Sequence, residues 1–159
     1  MTSFEIVPSQ SKIEFQVKHL MISKVHGRFR HFHGSFDGSQ VEVTIDVASI
    51  STNDSSRDDH LTGPDFFNAK KFPSISFISS TIRGREVTGE LSIRGVTRKI
   101  ILELTKPLDL QKALTVQGKT KIERKSFGLS WNAAIEAGGV LVGDDISISF
   151  EVVLNPRPL

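Results

Sequence analysis

Ile13, Phe15 and Val17 alternate with Lys12, Glu14, Gln16 and Lys18, a period of two in which one strand face meets an apolar interior and the other meets water. Val41, Val43, Ile45 and Val47 repeat the pattern around Glu42, Thr44 and Asp46, as do Ile146, Ile148, Phe150, Val152 and Leu154 near the end. Similar alternation at 75–81, 87–93, 98–104 and 114–122 predicts further strands, and Asp37-Gly38, Gly84, Gly95, Pro107 and Gly138-Gly139 divide them with turn signals. In VHGRFRHFHGSF the apolar phase runs Val25, Gly27, Phe29 and resumes at Phe32, Gly34, Phe36. That one-residue slip predicts a β-bulge and a bent strand. Many short antiparallel strands without intervening helices indicate a sandwich or a closed barrel, and closure would remove the exposed edges.

Two segments interrupt the strands, Asn53 to Phe72 and Lys125 to Gly143. Within the first, SSRDDHLTGPDFF pairs two acids and a histidine with two phenylalanines. Ser55 followed by Asp58 fits a helix start and Gly63-Pro64 a helix stop, so a short helix is expected near residues 54–61. Consecutive helix side chains lie about 100° apart. Asp58, Asp59 and His60 therefore fan apart and cannot converge on one substrate atom. Arg57 instead shares a face with Asp54, His60 and Leu61. An anchor made of an ion pair and apolar contacts is the simpler reading of this stretch.

Composition narrows the function. The 159 residues fit one domain, and 20 Lys plus Arg against 18 Asp plus Glu give a net charge of +2. That balance supplies no strong field for a phosphate backbone, so no nucleic acid partner is expected. The lysines of KTKIERK at 119–125 alternate outward around Ile122, as a solvated strand face would. Cysteine is absent, which removes disulfides and thiolate ligands. The opening MTSFEIVPSQSKIEF shows no basic region followed by an apolar run, and no segment reaches membrane-spanning length. A cytoplasmic protein with no integral membrane segment is expected.

Three catalytic chemistries fit poorly. His31 and His33 share one strand face and could present two imidazoles to one ion. If Phe32 and Phe36 point inward, however, both histidines face solvent, and no third ligand has metal-site spacing. No serine lies in a Gly-x-Ser-x-Gly elbow, and no phosphate-cradling glycine loop is present. No metal, cofactor or enzymatic activity is expected. A histidine-dependent metal enzyme and a stress-linked interaction module with a packed core stand as the alternatives.

Eleven Phe, one Trp and no Tyr leave an aromatic interior almost free of polar handles. A packed core is the default for such residues. Small inward positions, Gly27, Gly34, Gly89 and Gly118, could instead leave room inside a barrel.

Five ordered motifs carry a resemblance over nearly the whole chain: FQVKHLMISKVHGRF at 15–29, VEVTIDVASI at 41–50, RDDHLTGPDFFNAKKFPSISF at 57–77, VTGELSIRGVTRKI at 87–100 and SFGLSWNAAIEAGGVLVGDDI at 126–146. The sequence resembles the YceI-like family of polyisoprenoid-binding or lipid-binding proteins. The resemblance implies an all-β, lipocalin-like antiparallel barrel of about eight strands with one short helix, forming a single domain over residues 1–159. It also implies an apolar cavity for an isoprenoid, a quinone tail or another long amphiphile, with homodimers common. No catalytic residue is carried over.

Combining motif position with alternation, the expected ligand-binding residues are Phe15, Val17, His19, Val25, Phe29, Phe36, Val43, Ile45, Arg57, His60, Phe66, Phe67, Phe77, Leu91, Ile93, Phe127 and Trp131. Phe66 and Phe67 would cover the interior while Arg57, Asp58 and His60 hold the segment. Thr62-Gly63 stands where the family commonly has Arg-Ser, and Lys99 where proline is frequent. Losing that arginine removes one anion partner, which favours neutral over phosphate-headed ligands.

Overall fold

The computed structural model describes residues 3–19, 23–108, 115–130 and 142–157, with only the backbone described at His19, Ser23 and Arg157. Trp131 therefore lies outside the described residues. Eleven strands follow in chain order: β1 (Ser3–Ile6), β2 (Lys12–His19), β3 (Ser23–Phe29), β4 (Phe32–Phe36), β5 (Val41–Asp46), β6 (Ile50–Ser51), β7 (Ser74–Arg83), β8 (Glu86–Ile93), β9 (Val96–Leu104), β10 (Thr115–Glu123) and β11 (Val142–Arg157). One α-helix, α1 (Ser55–Thr62), separates β6 from β7.

All pairings are antiparallel, and β1 pairs with both β4 and β11, which closes the sheet into a ring. β1 and β2 run along the same edge of β11, β3 and β4 form one bent stave, and β5 and β6 another. Counted this way the barrel has eight staves. Closure at that number leaves an interior that side chains can fill or that can hold one small ligand.

The bends have local causes. The slip predicted between Phe29 and Phe32 is a full break, because Arg30 and His31 both turn outward while both phenylalanines stay buried. The break is hydrogen-bonded to the next stave, where Arg30 N–H donates to Ser49 O at 3.1 Å and Asp46 N–H to His31 O at 3.0 Å. Alternation carried the next strand through Val47, but it ends at Asp46, whose carboxylate accepts from Ala48 N–H and starts a 3-10 turn. Val47 remains 1% exposed within that turn. The short strand Ser3–Ile6 was not among the segments expected from alternation.

The two ends of the barrel differ. Phe4, Phe36 and Leu154 pack together at one end, the floor, with the Phe4 and Phe36 rings stacked at 6.4 Å and Ile6, Val41, Ile82, Leu108 and Val116 packed around them. The opposite end receives α1 with the 63–73 loop, and the 3-10 turn Arg124–Phe127 that follows β10.

Glycines do not hollow the interior in the expected way. A Cβ on Gly27 would overlap the Phe15 ring, one on Gly118 would meet the Phe150 ring, and one on Gly89 would lie 2.6 Å from Phe77 Cζ. Each glycine is a seat for an aromatic ring from a neighbouring strand, a device that stabilises glycine within sheets.

One seam is thinly paired. β10 matches β11 over nine residue pairs and β8 matches β9 over eight, yet β9 and β10 share two, Gly118 with Leu104 and Lys119 with Glu103. On either side of them the Thr105 N–H donates to Gln117 O at 2.9 Å and the Thr120 hydroxyl to Ile101 O at 2.9 Å.

Candidate ligand-binding cavity

Between the floor and α1 lies a cavity of about 490 Å³ whose wall is almost entirely aliphatic and aromatic. The volume falls within the range of small-molecule sites. Alternation produces the wall: inward residues of β2, β3, β5, β7, β8, β9, β10 and β11 all contribute. Its polar members gather mainly at the α1 end, where Lys18, Asp54, Ser56, Arg57 and His60 border the space.

The segment over this end is pinned at Thr52, which is 4% exposed. Arg57 Nε donates to Thr52 Oγ1 at 2.9 Å and Arg57 Nη2 to Thr52 O at 2.8 Å. Asp58 Oδ1 accepts from Thr52 N–H at 2.9 Å and from its hydroxyl at 2.5 Å. Asp54, one residue before the Ser55 expected to supply the cap, caps α1 by accepting from the Arg57 backbone N–H at 3.1 Å. Arg57 thus turns to Thr52 rather than to the Asp54 carboxylate.

After Gly63 the chain folds back on the helix end, with Phe67 N–H donating to Leu61 O at 2.9 Å and Ala69 N–H to Thr62 O at 2.8 Å. These bonds satisfy carbonyls that a helix terminus otherwise leaves unpaired. Asn53 and Asn68 bracket the segment in left-handed backbone conformations, φ 62° and 52°, which asparagine tolerates better than most residues. The fold-back lowers Phe66 and Phe67 into the cavity wall. Phe67 meets Phe29 edge-on at 6.2 Å, and the His60 ring meets Phe66 at 5.1 Å while its Nε2 bonds Asp65 Oδ2 at 3.0 Å.

Arg124 is the residue that the sequence reading missed. Its side chain is 2% exposed and borders the cavity. Nε donates to Gly143 O at 2.7 Å, Nη1 to Leu129 O and Nη2 to Val142 O at 3.3 Å, which ties the end of β10 to the start of β11. Burial lowers the pKa of this guanidinium, and the Asp144 carboxylate opposes that shift. The signal was present in the alternation: Arg124 is in phase with Gly118 and Ile122, both buried.

Fourteen of the expected ligand-binding residues line the cavity: Phe15, Val17, Val25, Phe29, Phe36, Val43, Ile45, Arg57, His60, Phe66, Phe67, Phe77, Leu91 and Ile93. Phe127 does not border it. It is 1% exposed in a 3-10 turn, Arg124–Phe127, and packs in the core instead. The side chains of His19 and Trp131 lie outside what is described. His31 and His33 are both exposed, and among the described residues no group of three His, Asp or Glu side chains is placed to hold a metal. No helix of the described residues is long and apolar enough to cross a membrane.

Comparison with known proteins agrees with this architecture. Residues 4–154 match the YceI-like domain. UPF0312 protein SAS2572 of Staphylococcus aureus (strain MSSA476) is 33% identical, over 92% of this chain and 93% of its own. The crystal structure of Burkholderia cenocepacia BcnA superposes with a TM-score of 0.77 at 27% identity, covering 93% of this chain and 98% of that one. A polyisoprenoid binding domain from Saccharophagus degradans, implicated in plant cell wall breakdown, shares the fold at a TM-score of 0.75 and 13% identity, covering 97% and 98%.

Proposed function

Because this chain belongs to the YceI-like domain family and encloses an apolar cavity beneath a phenylalanine lid, we propose that it binds a long-chain apolar or amphipathic lipid inside the barrel. Carriage, storage or sequestration of that lipid is the role. The observation that carries the reading is the cavity itself, about 490 Å³ walled by aliphatic and aromatic side chains. The description of the Saccharophagus degradans domain as polyisoprenoid binding supports a lipid as the ligand class.

The energetics suit such a ligand. Each buried methylene contributes about 0.8 kcal/mol, so ten contribute about 8 kcal/mol, comparable with the cost of association. Affinity then comes from the chain. Arg57 and His60, together with Lys18, Asp54 and Ser56, supply the polar surroundings for a head group at the lid end.

Native mass spectrometry of the freshly purified protein, followed by solvent extraction, tests the proposal. A discrete long-chain adduct is expected. Protein that carries none, and takes up no long-chain alcohol from vesicles, would overturn it. Phe15→Arg places a charge in the apolar wall beside Phe29, 5.6 Å away between ring centres, and is expected to weaken lipid uptake at least tenfold while the barrel stays folded.

A further inference from the structure

We propose that the ligand enters and leaves the barrel sideways, by parting β9 from β10, and not by lifting the α1 lid. The inference rests on the lipid-binding reading and adds a route to it. Among the described residues, the β9–β10 junction between staves rests on two residue pairs, whereas the next thinnest, β5 with β7, has five. From Val96 to Leu102, β9 has no ladder partner on β10. That stretch is bridged instead by side chains, the Thr120 hydroxyl to Ile101 O at 2.9 Å and, past its far end, Arg94 Nη1 to Gly128 O at 3.2 Å. Val96 to Ile101 spans about 17 Å of strand, many times the width of an alkyl chain.

The interior and the solvent approach each other at this seam. Phe15, Thr120 and Ile148 border the cavity and also a groove on the outer face of the barrel, so a single thickness of backbone separates the two. Ile101 borders the same groove and is 49% exposed, where β9 otherwise turns Thr97, Lys99 and Glu103 outward. It offers an alkyl chain an apolar first contact beside the gap. The lid is harder to lift. Four hydrogen bonds from Arg57 and Asp58 hold it to Thr52, and the fold-back adds the bonds from Phe67 and Ala69. Local opening favours the segment with the fewest such contacts to break.

Exchange kinetics of a fluorescent chain, dansyl-labelled undecanoic acid, read the route: uptake by stopped flow, release into phosphatidylcholine vesicles. The protein has no cysteine of its own, so Ile101→Cys with Lys121→Cys gives one defined cross-link. These positions lie two residues along the register from Glu103 and Lys119, where antiparallel neighbours come within disulfide reach, and a short bismaleimide spans a wider gap. Closing the seam is expected to slow uptake and release together by about tenfold or more relative to the same variant with both thiols free. Thr120→Val, which removes the hydroxyl bridge, is expected to speed release about fivefold, the equivalent of one ordinary hydrogen bond.

Cross-linked protein that exchanges the probe as fast as the open form overturns the proposal while leaving lipid binding intact. Release accelerated by Thr52→Val and unchanged by Thr120→Val makes the lid the route and overturns it equally. Protein that takes up no probe in either state overturns the binding reading itself.

Discussion

Thr52→Val removes one hydroxyl from the point where the lid is held, at nearly constant side-chain volume. That hydroxyl both receives Arg57 Nε at 2.9 Å and donates to Asp58 Oδ1 at 2.5 Å, so two hydrogen bonds to charged groups are lost together. Bonds of this class contribute about 1.5–3 kcal/mol each when buried. Arg57 and Asp58 are only half-buried, so water replaces part of the loss, and the two backbone bonds to Thr52 persist. A net cost of about 2 kcal/mol follows, equivalent to a fall in Tm of about 4–8 °C for a chain of this size. Thr52→Ser keeps the hydroxyl and is expected to cost less than half as much. Urea unfolding measures the stability, and amide exchange at residues 55–70 reports whether the lid loosens before the barrel. A Thr52→Val protein within about 0.5 kcal/mol of the parent, with unchanged lid exchange, would show that Arg57 and Asp58 do not hold the segment.

Three further outcomes are expected. Gly89→Ala places a methyl 2.6 Å from Phe77 Cζ and 2.8 Å from Ser79 Cα, and against the Ile78 carbonyl; backbone cannot yield as a side-chain tip can, and a loss of about 3 kcal/mol is expected by chemical denaturation. Arg124→Met strands the carbonyls of Gly143, Leu129 and Val142. A comparable loss is expected from the calorimetric transition, with Arg124→Lys restoring little because a point charge cannot reproduce the fork. Asp37 accepts from Gln40 N–H and from Ser39 N–H and hydroxyl, which hold its carboxyl below the ordinary carboxylate range. A depressed folded pKa means that its contribution is present above the unfolded value and disappears as pH falls through the folded one. A carbon-detected NMR titration should place the Asp37 midpoint below that of an unstructured aspartate, and Ser39→Ala should raise it.

Much of the barrel was legible because one physical rule, burial on one strand face, acts on every stave. Ile13, Val25, Phe77, Leu91 and Ile122 are buried where alternation placed them. The rule fails where hydrogen bonds outside the ladder take over. Val47 keeps its burial but leaves the strand because Asp46 caps a 3-10 turn. Arg124 kept the inward phase, yet a basic residue among lysines reads as surface until the three carbonyls that receive it are seen. Phe127 illustrates the converse: an aromatic near the barrel mouth is apolar enough to line a cavity, and only its packing shows that it fills core instead. Thr52 offered no pattern at all, because its importance lies in what Arg57 and Asp58 do five and six residues later.

The thin pairing of β9 with β10 gives the ring a clasp. All eight staves can be traversed through seven longer ladders, and the circle is then completed largely by Gly118, Lys119, the Thr105 N–H bond to Gln117 O and the Thr120 hydroxyl. The free energy of local opening scales with the bonds that must part. Amides facing this gap on β9 and β10 are therefore set to exchange with solvent ahead of those between β10 and β11, where nine pairs hold. The wall of the cavity can breathe at Ile100, Leu102 and Ile122 while the opposite wall keeps time with global unfolding.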